Sequence, residues 1–543
     1  MSDIFVAPAI ISDDDARKLP SLIESAVDKR QPSYTLQQLN QLILYRPEDV
    51  DLDPLAIVPL LLPSSLEGAE ILLETVGSRC SPREALIAIQ EAVERLERAA
   101  DDEEDTENDA DNVLLAAAQI VRIIQLYAIV LPRLEKRKKT ASEILRPLIS
   151  QVQGTVSAVS QHTDVDAQNL VWSLSGLTGA IRGWVGNDPE EQGVVAVILC
   201  DFLREIVQSN ANSLRAGLIA RAFERQYPNL RMPIWSIEGP SEVQNAAVVS
   251  NVLDALSDLG LSINTLTSQP SISSLILIAH SSQPNMNLKT LGSFLPIILG
   301  SMQSNAALDE TLSVLLESLG PLRNVSPRPE LSVDLVVPLV HVLAPLAGVH
   351  PDPTTRHATY RILSLVLSLA PSLVRLKLLK DLVTDDDESM QKMSVAAIGL
   401  VKEAILEALS KPPSTGSPSS VFSSPLFMQE LGSILFLRQP NNLTAPLVKF
   451  LESSEPLRLV ESLGLLYVLL LRDVGNTTGV RERGFLKEVQ RTLLDPLKLQ
   501  LDSWEKEFPS LPDLDHAEMQ LGIIDMWLDR ISSAIVDVSG ESN

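Results

Sequence analysis

The chain reads as an all-α stack of helical repeats, and three observations carry that reading. Apolar residues recur at a 3.6-residue period in one segment after another. Short Pro, Gly, Ser or Asp punctuation separates the segments. No convincing run alternates apolar and polar residues between hairpin signals, as strands do. Met390 to Leu409 shows the pattern best. Met393, Ala397, Leu400, Val401, Ala404, Ile405 and Ala408 share one helical face, while Lys392, Lys402, Glu403 and Glu407 lie elsewhere. Asp385, Asp386 and Asp387 stand just ahead, where carboxylates favour the positive end of the helix dipole. Glu84–Ala100, Val113–Leu131, Val243–Leu259 and Leu457–Arg472 repeat the design, and Ser462–Leu471, apolar almost all round, reads as an interior helix.

Composition agrees. Of the 543 residues, 45% are hydrophobic but only 4% aromatic, so Leu, Val, Ile and Ala must supply the buried surface. Prolines recur inside apolar runs, at Arg146-Pro147-Leu148, Leu295-Pro296-Ile297, Val337-Pro338-Leu339, Ala445-Pro446-Leu447 and Asp495-Pro496-Leu497. Proline suits the first turn of a helix, where its missing N–H has no partner to lose. The recurring "x-Pro-Leu-apolar" resembles the second helix of HEAT-type repeats. His350-Pro351-Asp352-Pro353-Thr354-Thr355-Arg356 resembles their turn and following arginine. The expected fold is a HEAT/armadillo-like helical-repeat solenoid, with roughly 11–13 helix pairs as an upper estimate from a period near 40.

Charge narrows the partners. Lys plus Arg number 44 and Asp plus Glu 70, a net charge of −26. Affinity for nucleic acid comes mainly from cations neutralising phosphates, and anionic membrane surfaces attract basic segments, so both are poor partners here. A neutral or basic protein is the natural counterpart. The start, MSDIFVAPAIISDDDARK, lacks a basic leader and long apolar core. The longest apolar stretch, Leu335 to Val349, is interrupted by Pro338, His341 and Pro345 and is too short to span a bilayer. Cys80 and Cys200, far apart in apolar helical contexts, read as buried small hydrophobes in a reducing compartment. A cytoplasmic location follows, with the nucleus as a further one.

Catalytic chemistry has no foothold. GxxxxGK[ST], GxSxG, HExxH and GxGxxG are all absent. Among six histidines only His350 and His357 stand near each other, and Pro351 and Pro353 between them prevent a shared helical face. Gly176-Leu177-Thr178-Gly179 reads as a junction between helices. Lys136-Arg137-Lys138-Lys139 reads as a complement to a helix C-terminus. No cofactor, metal or catalytic residue is expected.

Two segments break the helical pattern. Asp101 to Asp111 holds eight acids in eleven residues and is expected to be a solvated loop. Lys411 to Pro425 is Pro/Ser-rich and reads as a linker (411–425) between a helical body (1–410) and a C-terminal helical section (426–543). Trp504, Phe508, Met519 and Trp527 sit in the charged, proline-broken end of that section, and Trp, Met and Phe are enriched at interface anchors.

Two regions resemble the glomulin/YAP-binding protein superfamily, which includes kinetochore members. In the first, an Arg-led helix from Arg356 precedes Arg375-Leu376-Lys377-Leu378-Leu379-Lys380-Asp381-Leu382-Val383, an acidic turn and Ala396-Ala397-Ile398-Gly399-Leu400-Val401-Lys402-Glu403. In the second, Phe485-Leu486-Lys487, with its proline displaced to Pro496, precedes a charged stretch and Glu518-Met519-Gln520-Leu521. The resemblance implies a non-enzymatic protein-binding role in one of two forms. The YAP-binding members assist a bZIP transcription factor in the response to oxidative stress. Glomulin-like members bind the RING subunit of cullin–RING ubiquitin ligases through their C-terminal repeats and inhibit the ligase. Arg356, Arg375, Lys380, Asp381, Phe485, Leu486, Pro496, Trp504, Met519 and Trp527 are the signature or candidate partner-binding residues. Limited proteolysis should cut first within 101–111 or 411–425, where little apolar surface offsets the entropy of ordering; early cleavage within Met390–Leu409 would contradict the helical reading.

Overall fold

The computed structural model describes residues 19–28, 34–45, 52–101, 114–136, 138–158, 164–229, 240–385, 387, 390–410, 420–437, 443, 446–506 and 514–540. Among them helices follow one another from Leu19 to Gly540 with no strand, so the fold is an all-α helical-repeat solenoid. Residues 102–111 of the acidic segment, residues 411–419 and Phe508 lie outside the described residues.

Two compact units make up the chain. The first comprises Met1–Leu218, Ser236–Asn285 and Asn305–Val314, the second Ile219–Trp235, Met286–Ser304 and Leu315–Asn543. In the first, helices alternate between two layers. One layer runs through Leu36–Tyr45, α1 (Ala69–Arg79), α2 (Ala116–Val130), α3 (Asp164–Val185) and α4 (Pro240–Asp258), each packed on the one before. The other runs through Leu19–Val27, Pro54–Leu61, Pro82–Asp101, Ala141–Ala158, Pro189–Ser209 and Ile272–Ala279 in the same manner. This is what the aliphatic composition requires. A single helix pair cannot bury its own apolar face, so alternate helices must stack.

Among the described residues the stretch Ala116–Arg133, not Leu335–Val349, is the one long and apolar enough to cross a membrane by length and composition. Its apolarity serves the stack. Ile120, Ile123, Ile124, Tyr127 and Val130 are buried. Arg122 donates to the carbonyls of Leu61, Leu62 and Ser64 at 3.0, 3.2 and 2.7 Å, closing the end of the helix Pro54–Leu61. Arg79 does the same at Ile43 (2.7 Å), Arg133 at Gly77 and Cys80 (2.5 and 2.7 Å), and Lys136 at Val185, the last residue of α3 (2.5 Å). Cations here meet carbonyls at helix C-termini, where the dipole favours them. Lys136 thus complements a helix end, but that of α3, whose Trp184 ring it also overlies at 5.3 Å. Cys80 and Cys200 are free and buried, and burial pushes both thiols up, Cys200 to about 11.

Several expectations change. Gly176 to Gly179 lies inside α3, not between helices. Pro147, Pro296 and Pro338 sit well within helices rather than in first turns. An interior proline costs ~3 kcal/mol. In Val333–Val349 burial of Leu335, Val336, Leu339, Val340 and Leu343 around Pro338 holds the helix together across it. Pro446 precedes Leu447–Glu452 and Pro496 occupies the first turn of its helix, as expected.

The second unit repeats the alternation. One layer passes from Leu288–Ser304 through α5 (Val333–Val349), then, beyond α6 (Pro353–Ser368) and α7 (Ser372–Thr384), to α8 (Gln391–Ser410), α9 (Glu455–Arg472) and finally α12 (Leu514–Gly540). The other joins α7 to a π-helix over Met428–Leu437, and this to α10 (Arg483–Val489) and the π-turn Gln490–Leu494 that leads into α11 (Asp495–Trp504). First-layer helices begin at 288, 333, 391, 455 and 514, so the first step is near 40 and the later ones are roughly 60. Both α6 and α7 lie between α5 and α8, which gives that repeat three helices. The π-turn stands directly before Pro496; a wider turn there carries the pyrrolidine ring away from the carbonyl it would strike.

The end of the Pro/Ser segment is also ordered. Val421–Ser423 forms a 3-10 turn, Phe422 is buried, and the Arg375 guanidinium lies 5.4 Å from its ring centroid. Phe422 supplies what the rest of KPPSTGSPSSVFSSP lacks, an aromatic surface to bury.

One buried ionisable pair stands out in the first unit. His280 Nε2 lies 3.6 Å from Glu310 Oε1, both side chains are buried, and neither Glu310 oxygen has a hydrogen-bond donor among the described residues. Burial pushes the Glu310 carboxyl up, against the lowering influence of His280, and neighbouring Asp309 adds to the rise. The folded state therefore holds the Glu310 proton more tightly than the unfolded chain. This contribution is fully present below the ordinary carboxyl range and is lost as pH rises through the elevated folded value. Glu310→Gln should remove the dependence and raise stability at neutral pH. Thermal unfolding of both proteins from acidic to neutral pH measures this; parallel curves would refute it.

Candidate protein-docking surface

The described helices end with α12, whose two faces differ in chemistry. Leu521, Ile524, Leu528, Ile531, Ala534 and Val538 recur at helical spacing and are buried. Met519, Ile523 and Met526 form an opposite stripe, 58%, 38% and 37% exposed, continued by exposed Arg530. Glu518, Asp525 and Asp529, all exposed, run along one side of it.

Trp527 lies on the other side, half-buried. Its indole lies against Gly464 of α9, where a Cβ would come within 3.5 Å of it, and tilts against Tyr467 with ring centroids 5.6 Å apart. The Arg530 guanidinium is 5.4 Å from the indole centroid. Lys498 of α11 reaches Asp529 at 3.5 Å with both side chains exposed, a pairing worth little in water. The surface is thus a flexible methionine stripe between a fixed aromatic and a row of carboxylates. Thioethers adapt to varied partners, and an exposed apolar stripe with a polar rim marks a docking face.

Most of the other signature residues build the unit. Arg356 donates to the carbonyls of His350 (2.6 Å) and Pro351 (2.9 Å), closing the turn before α6. Asp352 caps that helix; burial pushes its carboxyl up, but hydrogen bonds from Thr355 and Thr354 hold it below the usual range. Arg375 is half-buried and pairs with Glu407 at 3.0 Å, and Glu407 also meets Arg328. Lys380 pairs with Glu430 at 2.7 Å and draws that carboxyl down, while Asp381 is exposed.

Phe485 is half-buried, edge-on to Phe436 at 6.3 Å, and Leu486 is buried. The loop that delivers them turns on Asp473, which accepts from the amides and hydroxyls of Thr477 and Thr478 at 2.6–2.9 Å. Pro496 is half-buried. Trp504, expected among the exposed aromatics, is fully buried and stacks on Phe450 at 4.3 Å. The structure therefore places Met519 and Trp527 together and leaves Trp504 in the core. Ile523 and Met526 went unnoticed in the sequence, although the 519, 523, 526 spacing in MQLGIIDMWLDR was their signal. Among the described residues no three His, Cys, Asp or Glu side chains converge to hold a metal.

Residues 300–526 match the YAP/Alf4/glomulin family. The match takes in α5 to α9 and the methionine stripe, and ends one residue before Trp527. The match covers less than half of the chain, and that stretch is similar to a glomulin or YAP-binding type of protein-binding protein. No curated protein matches it. Solved structures that are similar include SYS-1 (12% identity, 95% of this chain, 99% of that chain, TM-score 0.26). A circular tandem repeat protein with novel repeat topology and enhanced subunit contact surfaces is another (13% identity, 98% of this chain, 99% of that chain, TM-score 0.18).

Trp504→Ala should cost about 3–5 kcal/mol of stability, as large-to-small changes in a core do. Met519→Ala and Met526→Ala should stay within about 0.5 kcal/mol of the parent. Denaturant unfolding of the three proteins measures both; comparable losses in all would show the stripe to be structural.

Proposed function

We propose that the protein is a non-enzymatic adaptor that docks a basic helical partner on the α12 face, in the manner of a YAP-binding protein assisting a stress-responsive bZIP transcription factor. The observation that carries this reading is the exposed Met519–Ile523–Met526 stripe bordered by Glu518, Asp525 and Asp529. The basic region of a bZIP protein is a continuous Lys/Arg-rich helix, the complement of such a face. The net charge of −26 would also speed encounter with it. The buried, free thiols suit a cytoplasmic place of action, with passage to the nucleus.

The position of the surface supports a second reading. It lies in the C-terminal repeats, through which glomulin-like members are expected to cap the RING subunit of a cullin ligase. Affinity purification from oxidant-treated cells with mass spectrometry separates the two. A bZIP factor among the recovered proteins supports the first reading, a cullin with its RING subunit the second. Recovery of neither overturns both. The Met519→Ala/Met526→Ala double variant should bind the recovered partner at least tenfold more weakly, about 1.4 kcal/mol, at unchanged melting temperature.

A further inference from the structure

We infer that the first unit carries a second docking groove, beyond the α12 face, that takes a basic amphipathic helix of a partner protein. The groove, of about 690 Å³, runs across the outer surface of the layer formed by α1, α2, α3 and α4. Its apolar lining comes from Ala128 and Ile129 of α2, Trp172, Gly176 and Gly179 of α3, and Ala255 of α4. Trp172 is 55% exposed, unlike Trp184 twelve residues on, which is buried with its indole N–H donating to Leu134 O at 2.8 Å. A large indole open to solvent beside a groove is what interface anchors look like before they are covered.

The glycines add to this. Trp172, Gly176, Gly179 and Gly183 follow one another along one face of α3, and a Cβ built on any of the three glycines meets nothing within 4 Å. Glycine inside a helix is less favourable than alanine, and packing within the unit does not require it here. By contrast Gly77 of α1, also mid-helix, would place a Cβ 2.9 Å from Leu126, so its absence of a side chain answers to a neighbour. The α3 glycines leave room for something that approaches closely from outside.

Charge selects the occupant. Glu74 of α1 and Asp258 of α4 border the groove on opposite sides. Glu70, which accepts from the lining Gln125 at 3.4 Å, and Asp254, one turn from Asp258, extend these two rows. Against these carboxylates the lining sets one guanidinium, Arg182, already paired with Asp258 at 3.6 Å, while Arg122, outside the lining, acts on Glu70. An apolar floor between two acidic rows fits a helix with small and apolar residues on one face and lysine or arginine on both flanks.

The test uses the full-length protein and two synthetic amphipathic helical peptides with one apolar face in common, one flanked by lysines and the other by glutamates. Binding is followed by fluorescence anisotropy in the native protein and in the Met519→Ala/Met526→Ala variant, so that binding at α12 is told apart. The lysine-flanked peptide should bind both, more weakly as salt rises. In the double-variant background Trp172→Ala should weaken it about thirtyfold. Gly179→Leu should block it without lowering the melting temperature, because leucine favours the helix and its site is open. The inference fails if glutamate-flanked peptide binds equally, if neither α3 substitution changes affinity in that background, or if neither peptide binds. Failure at α12 alone would leave it standing.

Discussion

No helix pair in this chain can bury its own apolar face, and that constraint orders the rest of the structure. With few aromatics, the core must be assembled from many small contributions, since each buried aliphatic side chain adds only about 1.5–3 kcal/mol. Stacking alternate helices in two layers collects these contributions continuously, from Leu36–Tyr45 to α4 in one unit and from α5 to α12 in the other. Such a stack leaves two kinds of surface uncovered, the outer faces of each layer and the terminal helix. The groove across α1 to α4 is of the first kind. The stripe on α12 belongs to the last described helix of its layer.

Stacking also strands polar groups, because every helix end leaves carbonyls without partners. In the first unit Arg79, Arg122, Arg133 and Lys136 answer that need, each reaching carbonyls at the end of another helix. An acidic chain thus places part of its limited stock of cations inside the turns, and the carboxylates are left to dominate the surface.

Helix positions were largely legible in the sequence. The segments read at Glu84–Ala100, Val243–Leu259, Met390–Leu409 and Leu457–Arg472 are observed within a few residues, because burial and period coincide there. The prolines misled where burial on both sides outweighed the backbone cost, as at Pro338, and the period misled where α6 and α7 share one repeat. Trp504 was illegible for a different reason. Its neighbours in sequence are charged, but its neighbour in space is Phe450, some fifty residues away, and no local pattern reports that pairing. Trp527 and Met519 could be picked out as large side chains in a polar stretch. Which of their companions reach the surface depended on which side of α12 meets α9.

The residues that packing does not explain are therefore the informative ones. Arg356, Arg375, Lys380 and Leu486 of the family-like motifs each have a structural partner or a buried place, so those motifs mark the fold more than the function. Met519, Ile523 and Met526, and Trp172 with its glycines, hold apolar or helix-weakening chemistry where the stack gains nothing from it. A solenoid tolerates substitution on its outer faces, since each repeat is held by its neighbours. Lysine, glutamate or alanine would serve stability at least as well at these positions. On the proposed reading, a partner would cover the apolar chemistry there, and the acidic rims would give that partner its sign.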